Sequence, residues 1–542
     1  MNIQIILYVL GMVLKVEGGL LLLPAFCSCI YQEWHLAGIY VISAAFSFLL
    51  GFLLSFKKPE RFNLEPKEGM AAVGLAWIVF SLVGAVPFTI SGEIPSYIDA
   101  IFETVSGVTT TGSSIMTTLD YMSYGNLFWR SFLHWIGGMG VLVFLLAIVP
   151  FAGGTFMNLM VAESPGPSIS KLVPKLRDTA KTLYQLYLGL SILMLLLLLL
   201  AGMPPFDALC IMMGTAGTGG FAIRSSGFAD YSWLQCTIVT IFMIAFGINF
   251  NVYYLLLRKK WRQALENEEV HWYLGIIFIA LVLIVAVVLP MYGDIAYTVH
   301  HVLFTIGSII TTTGYSTVDF NLWPSFAKLI LVLLMFIGAC AGSTGGGIKV
   351  SRIIIMVKSV RQEIKNILHP GLVQKVRLYN KPVENKMVRS VLVFLVLYAM
   401  IFITSLLLIS LDGFDMNTNF TAVAATLNNI GPGLDGVGPT SSFAAYSDLS
   451  KIVLSLTMIA GRLELIPLVM LFLPDVWIGM GKRRYQSKAK AQTKSAPKSS
   501  AFARIQNACH PQEKSKPAAS SFRAQRQANP KAKAYIQAEE AG

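Results

Sequence analysis

The sequence predicts an all-α polytopic membrane protein in which four helix–pore loop–helix repeats surround a central pore, with two extra N-terminal transmembrane helices ahead of them. Three observations predict this. Hydrophobic residues are 55% and charged residues 13% of the 542-residue chain, with a mean hydropathy of +0.64, which is more apolar sequence than one soluble core can bury. A hydroxyl-rich segment closed by a glycine, Thr311-Thr312-Thr313-Gly314, interrupts the apolar runs 302–310 and 326–338. That segment recurs at intervals of about one hundred residues: closely as Val108-Thr109-Thr110-Thr111-Gly112-Ser113, more loosely as Gly217-Thr218-Gly219-Gly220-Phe221 and Asn428-Asn429-Ile430-Gly431-Pro432. One such segment alone would read as helix packing, where Thr and Gly are common; four at matched positions do not.

The elements follow in order. Runs 5–23 and 36–56 are two full spans that precede the repeats (residues 1–67), and no cleavage site after the first marks it as a removable signal. The first repeat (68–170) has outer spans at 71–90 and 128–151, and the second (171–265) at 183–202 and 234–257. The third (266–385) has spans at 272–291 and 326–357, its second helix broken, and the fourth (386–480) has spans at 391–411 and 452–473. That makes ten spans and four half-crossing hairpins. Residues 481–542 hold 14 Lys/Arg and 3 acids without apolar periodicity, and read as a disordered basic cytoplasmic tail drawn to anionic head groups of the membrane lipid. Few aromatics accompany these cations, so nucleic acid is not an expected partner.

Charge sets the orientation. Lys57, Lys58, Arg61 and Lys67 share one connection, Lys171, Lys175, Arg177 and Lys181 the next, and Arg258, Lys259, Lys260 and Arg262 a third; ten more cations run from Lys349 to Arg389. With ten spans all four connections fall on one face, which is then cytoplasmic and holds both termini. The other face carries Glu33, Glu93, Asp99, Glu103, Asp120, Asp207, Asp230, Asp294, Asp319, Asp412, Asp415, Asp435 and Asp448 against Arg130, Arg224, Lys328 and Lys451. That excess of acid concentrates cations at a pore mouth.

At each repeat, near-extended backbone ending in a glycine at positive φ can turn several carbonyl oxygens toward one axis, where they replace the water shell of a cation. The candidate cation-binding residues are therefore Thr110, Thr111 and Gly112, then Thr218, Gly219 and Gly220, then Thr312, Thr313 and Gly314, and last Asn429, Ile430 and Gly431. Asp99 and Asp207 each stand 13 residues before their glycine, placed to cap a short pore helix; His301 and Thr418 take that offset in the other two repeats.

Below the filter, Gly338-Ala339-Cys340-Ala341-Gly342-Ser343-Thr344-Gly345-Gly346-Gly347 places five glycines in ten residues of one apolar span, each costing a helix about 1 kcal/mol against Ala. The span should break there, and broken backbone at membrane depth belongs against protein or a watery path. Gly338 and Gly342 also form a GxxxG packing motif, whereas a phosphate loop is excluded because Ile348 stands where its lysine should be. Arg462 lies near the middle of the last span, where an unpaired guanidinium costs several kcal/mol, and Glu464 two residues on should face elsewhere on that helix. Gly338, Gly342, Ser343, Thr344, Gly345, Gly346, Gly347 and Arg462 are accordingly a candidate gate, since freed loop carbonyls and a membrane-centre arginine each supply what the other lacks. Cys27, Cys29, Cys210, Cys236, Cys340 and Cys509 show no metal-ligand spacing and read as packing residues.

The four filter segments resemble the TrkH branch of the TrkH/KtrB/HKT potassium transporters. So do Trp135-Ile136-Gly137-Gly138-Met139-Gly140, Ala341-Gly342-Ser343-Thr344-Gly345-Gly346-Gly347, Asn428-Asn429-Ile430-Gly431-Pro432-Gly433 and Gly461-Arg462-Leu463-Glu464. The resemblance spans roughly residues 1–480. It implies channel-like potassium uptake across a bacterial inner membrane, as the pore-forming subunit of a Trk system. It further implies a homodimer with one pore per subunit and a cytoplasmic nucleotide-binding partner of the TrkA type. It places Gly112, Gly220, Gly314 and Gly431 at the filter glycines, 338–347 at the intramembrane gating loop and Arg462 beneath the filter. K+ is then the transported ion, and no cofactor is expected in this chain. Two alternatives stay open: a less selective K+/Na+ transporter, and a secondary cation symporter. The long basic tail departs from the family pattern. An intramembrane enzyme is disfavoured, because the seven His are scattered and neither HExxH nor GxSxG lies within a span.

Overall fold

The computed structural model describes residues 3–59, 66–140, 176–369, 375–378 and 381–477. The basic tail, Cys509 and the later part of the first repeat's second span lie outside these residues. Within them the chain is helical apart from a two-stranded hairpin, Arg377–Leu378 against Lys381–Pro382.

Two long helices, Ile3–Ile30 and Trp34–Ser55, open the chain as an antiparallel pair. Their backbones nearly touch: a Cβ on Gly11 would stand 2.6 Å from the Gly51 carbonyl oxygen, and one on Gly51 2.8 Å from that of Gly11. Small residues at the crossing permit this approach, which in lipid must rest on packing because apolar burial drives nothing there.

Four units of one plan follow. Their outer helices are Pro66–Gly84, Leu176–Leu200, Glu268–Tyr292 and Asn385–Ile409. Leu196, Phe278, Ile279, Val396 and Ile403 on these helices are exposed, as side chains meant for lipid should be. The pore helices, Tyr97–Val108, Pro205–Gly217, Ile295–Ile310 and Met416–Leu427, are 12 to 16 residues long. At 1.5 Å per residue they reach only about 18–24 Å, too short to cross.

Ten spans are not what the described residues contain. Six helices are long and apolar enough to cross, or seven if Trp233–Phe246 and Phe250–Leu257, bent by 93°, count as one. The difference lies in the second helices, Tyr124–Met139, Trp233–Phe246, Ser325–Ile337 and Asp448–Arg462, which stop after 13 to 16 residues. Gly140 leaves the first at φ 87 and Gly338 the third at φ 71, while Glu464 and Leu465, both at positive φ, end the fourth before Ile466–Leu471 resumes. Only the third break announces itself in the sequence, by its glycines. The first helix ends at Gly140, and in the second and fourth units three residues each, 247–249 and 463–465, interrupt apolar runs that read as continuous helix.

Packing closes the units into a ring. The second unit's pore helix lies on the first unit's second helix, the third's on the second's, the fourth's on the third's, and the first unit's pore helix on Asp448–Arg462 of the fourth.

Candidate functional site

The four pore helices end at the centre of the ring, and each is left by the same backbone path. Thr110, Thr218, Thr312 and Asn429 lie in the left-handed region at φ 55 to 60, and two residues later Gly112, Gly220, Gly314 and Gly431 take φ 76 to 101. The expected near-extended segment is therefore kinked at its first residue and again at its glycine. Helix-terminal hydrogen bonds support the first kink: Thr110 N–H donates to the Gly107 carbonyl, Thr218 to Thr215, Thr312 to Ile309 and Asn429 to Thr426. The negative ends of four helix dipoles thus converge on one point.

What a side chain would meet at each glycine defines the ring. A Cβ on Gly112 would lie 2.0 Å from the Gly219 carbonyl oxygen, and on Gly220 1.8 Å from that of Thr313. On Gly314 it would lie 2.0 Å from the Ile430 oxygen, and on Gly431 2.9 Å from that of Thr111. Each glycine abuts the carbonyl that precedes the next unit's glycine, and the fourth returns to the first. Ser113 Oγ donates to the Gly431 carbonyl at 2.9 Å, and Asn429 Nδ2 to Thr111 Oγ1 at 2.9 Å, so the join between the last and first units is hydrogen-bonded. All twelve sequence-derived filter residues are thereby brought together.

The caps differ from expectation. Ser96 caps the first pore helix, with Asp99 in its first turn and ion-paired to Lys451 at 2.6 Å. Asp207 lies in the first turn of the second pore helix and pairs with Arg224 at 2.7 Å. Capping carboxylates occur instead in the third and fourth units, at Asp294 and Asp415; the Thr418 hydroxyl and N–H hold the Asp415 carboxyl below the usual carboxylate range. The 13-residue offset falls inside the helices because their caps stand farther back, 16 residues before the glycine at Ser96, Pro204 and Asp415 and 20 at Asp294.

Two residues near the ring escaped the sequence reading. His134, on the first unit's second helix, fills the space beside the second segment: a Cβ on Gly217 would lie 2.2 Å from its carbonyl oxygen, and on Gly219 1.9 Å from its Nδ1. Its Nε2 accepts from the Phe221 N–H at 3.2 Å. The extra glycines of that segment make room for this imidazole. Arg130 was counted among surface charges but is 1% exposed, pairs with fully buried Glu103 at 2.8 Å, and lies 4.2 Å from the Phe221 ring centroid. Glu103 also accepts from Ser114 Oγ and the Ile115 N–H. The acid excess on this face is thus smaller in effect than the sequence count, since Glu103, Asp99 and Asp207 are each paired. A cavity of about 420 Å³ opens above the four glycines, lined by residues of all four units.

On the other side of the ring lies the glycine-rich loop. Gly346 N–H donates to Thr312 Oγ1 at 2.6 Å and Gly347 N–H to the Asn428 carbonyl at 3.1 Å, so the loop touches two of the four segments of the ring. A Cβ on Gly346 would stand 2.3 Å from the Asn428 oxygen, and on Gly345 2.8 Å from the Thr311 oxygen. Glycine is required because the loop is pressed against the underside of the ring. Arg462 donates to the Thr344 carbonyl at 2.8 Å and to the Gly138 carbonyl at 2.6 Å, and also to that of Gly137. The expected partnership of loop and arginine is present in the geometry, with the first unit's helix end as a third member.

The loop's further supports were not foreseen. Fully buried Glu269 accepts with Oε1 from the N–H of Ala341 at 2.7 Å and of Ser351 at 3.1 Å, bridging the loop's two sides. Lys349, placed by sequence in a solvated basic connection, is 3% exposed and donates to the Gly345 carbonyl. Glu464 is not on the helix with Arg462; it turns at φ 55 and pairs with Arg352 of Val350–Leu368. Charged residues near glycine-rich loops carry no local signal of this kind, because the partners lie far apart in sequence.

The chain matches the family model described as TrkH, cation transport protein, over residues 39–477. It is 36% identical over 492 residues to the Trk system potassium uptake proteins TrkH of Salmonella typhimurium and of Escherichia coli strain K12, covering 88% of this chain and 100% of each relative. The crystal structure of the potassium transporter TrkH from Vibrio parahaemolyticus matches it with a TM-score of 0.79 at 30% identity, over 88% of this chain and 100% of that one.

Proposed function

Because the chain belongs to the TrkH family of cation transport proteins, we propose that it is the pore-forming subunit of a potassium uptake system of the bacterial inner membrane, conducting K+ in a channel-like manner. The observation that carries this reading is the closed ring in which four glycines each abut the next unit's carbonyl. On this reading the backbone oxygens of residues 110–112, 218–220, 312–314 and 429–431 take the place of the ion's water shell, with four helix C-termini adding negative potential. The loop 338–347 and Arg462 gate the path beneath: the loop obstructs it and the guanidinium repels an incoming cation in a region of low dielectric. The basic connections face the cytoplasm, a regulatory partner of the TrkA type acts there, and two chains form a dimer with one pore each. Each unit is a helix, a pore loop and a helix, with boundaries at 68–170, 171–265, 266–385 and 386–480.

A second reading, K+ with substantial Na+, has one observation in its favour. Hydroxyl pairs brace the segments of the first and third units, Thr109 to Thr111 at 2.8 Å and Thr311 to Thr313 at 2.7 Å. The second and fourth units carry Gly217 with Gly219 and Asn428 with Ile430 at those positions, so two walls lack this brace. Fluxes of K+ and Na+ through the purified protein in liposomes separate the two: a strong preference for K+ supports the first reading, comparable fluxes the second, and no cation flux overturns both.

A further inference from the structure

The helix Val350–Leu368 leaves the glycine-rich loop and carries two unlike faces. Lys358, Arg361 and Lys365 recur at spacings of three and four, so they share one face. With Lys375 and Arg377 of the following hairpin segment they line a cavity of about 710 Å³. Lys358 is committed to Glu268 and to the Arg377 carbonyl, while Arg361, Lys365, Lys375 and Arg377 are exposed. Among the described residues no carboxylate lines this cavity, and Glu363 lies on another side of the helix at helical spacing. Beside the basic face stand Val360, Ile364, Ile367 and Leu368, exposed by 52% to 73%. Within a soluble surface such a stripe would be a liability, yet it directly borders the cations.

We propose that this helix and hairpin form a binding site for the head group of an anionic phospholipid, its phosphate held by Arg361, Lys365, Lys375 and Arg377 and its acyl chains against Val360, Ile364, Ile367 and Leu368. The pairing of the two faces selects this occupant. A phosphate diester offers several acceptor oxygens to guanidinium and ammonium donors in charge-assisted hydrogen bonds, which accounts for the basic cavity alone. A free phosphate leaves the apolar stripe in water, and a zwitterionic lipid leaves the cations unneutralised. Of these three, the anionic lipid alone satisfies both, as in helices that lie in the interfacial plane of a membrane. The site also has a route to the pore, which rests on the gate proposed above. Arg352, paired with Glu464, is six residues or about 9 Å up the same helix from Lys358, and Lys349 holds the loop itself. Head-group binding therefore restrains the segment by which the loop must move.

The test uses the full-length protein in liposomes containing a photoactivatable phosphatidylglycerol, with labelled peptides mapped by mass spectrometry; equal lipid composition in both leaflets makes the result independent of the chain's orientation. Label is expected on residues 350–368, competed by excess phosphatidylglycerol at least tenfold better than by phosphatidylcholine. In the Arg361→Gln, Lys365→Gln, Lys375→Gln, Arg377→Gln variant that label should fall at least tenfold, since each cation near the surface is worth roughly fivefold. Label on the lipid-facing helices Glu268–Tyr292 and Asn385–Ile409 should persist and certifies the fold. The proposal is overturned if the two lipids compete equally, if the variant labels like the parent, or if inorganic pyrophosphate alone displaces the label. It is equally overturned if cross-links join 350–368 to a second chain in place of lipid. None of these readouts involves ion flux, so the site can fail without the gate failing, and the reverse.

Discussion

Replacing Gly314 by alanine tests the carbonyl ring most directly. A Cβ there would stand 2.0 Å from the Ile430 oxygen and 3.0 Å from Pro432 Cδ. An ordinary carbon–oxygen contact is about 3.3 Å, so that oxygen must retreat by roughly 1.3 Å. For an ion about 3 Å from the oxygen, such a retreat removes roughly a third of their Coulomb term. Each tenfold change in relative permeation needs only about 1.4 kcal/mol, and the left-handed backbone adds a strain of about 1–2 kcal/mol that a folded bundle can absorb. Gly112 and Gly220 meet the same obstacle, at 2.0 Å and 1.8 Å, whereas Gly431 faces its oxygen at 2.9 Å. Alanine at 112, 220 or 314 is therefore expected to lower the K+/Na+ flux ratio in liposomes at least tenfold, and alanine at 431 less. Monodisperse elution in detergent confirms folding in each case. If all four variants keep the parent ratio, the ring is not the filter. If Gly431→Ala, where φ is largest at 101, is the most damaging, then backbone strain and not carbonyl displacement sets selectivity.

Three further outcomes are expected. Arg462→Ala removes donors from the Thr344, Gly137 and Gly138 carbonyls, each charge-assisted bond being worth about 1.5–3 kcal/mol, and should raise cation flux in the absence of any partner; combined with a shortened 338–347 loop it should gain little more, and simple additivity would show Arg462 to be a structural brace. Glu269→Ala orphans the N–H groups of Ala341 and Ser351 at about 1–3 kcal/mol each and should likewise raise partner-free flux, with Glu269→Gln intermediate because one oxygen still accepts; a Gln variant as leaky as Ala would place the effect in charge and not in these bonds. A cysteine at exposed Asp120 should label from outside intact cells and one at exposed Lys259 should not, and the reverse would invert the proposed topology.

The ring of four segments was legible because each segment is local. Four Thr- or Asn-containing segments ending at Gly112, Gly220, Gly314 and Gly431 carry their backbone requirement in their own residues, and the structure brings all four to one ring. The break at 338–347 was legible for the same reason, glycine being a poor helix former wherever it stands. The breaks after Met139, Phe246 and Arg462 were not, because hydropathy measures the cost of leaving lipid and is indifferent to a kink inside a run that stays buried. His134, Glu103 and Glu269 were missed for another reason. Glu103 meets the Ile115 N–H 12 residues on, His134 that of Phe221 87 residues on and Glu269 that of Ala341 72 residues on, and a lone polar residue in an apolar helix does not disclose which backbone group it will meet.

The breaks themselves explain why a gate would be built in the third unit. In the second and fourth units the chain turns within three residues, and the groups freed there are few. The third leaves ten residues of backbone beneath the ring with no helical partners, and every such group needs a donor or acceptor from elsewhere. Those arrive from distinct parts of the bundle: Arg462 from the fourth unit, Thr312 and Glu269 from other elements of the third, the Asn428 carbonyl from the fourth filter segment, and Phe246 and Gly247 carbonyls from the second unit. A segment held by these borrowed partners together with a few bonds of its own, such as Ser343 N–H to the Cys340 carbonyl and Val350 N–H to that of Ala339, has no contact with the cooperativity of a helix. On the proposed gating, displacing it would trade these bonds for water in the opened path, so small forces on Val350–Leu368 would set its position while the ring above, held by its own four helices, keeps its geometry.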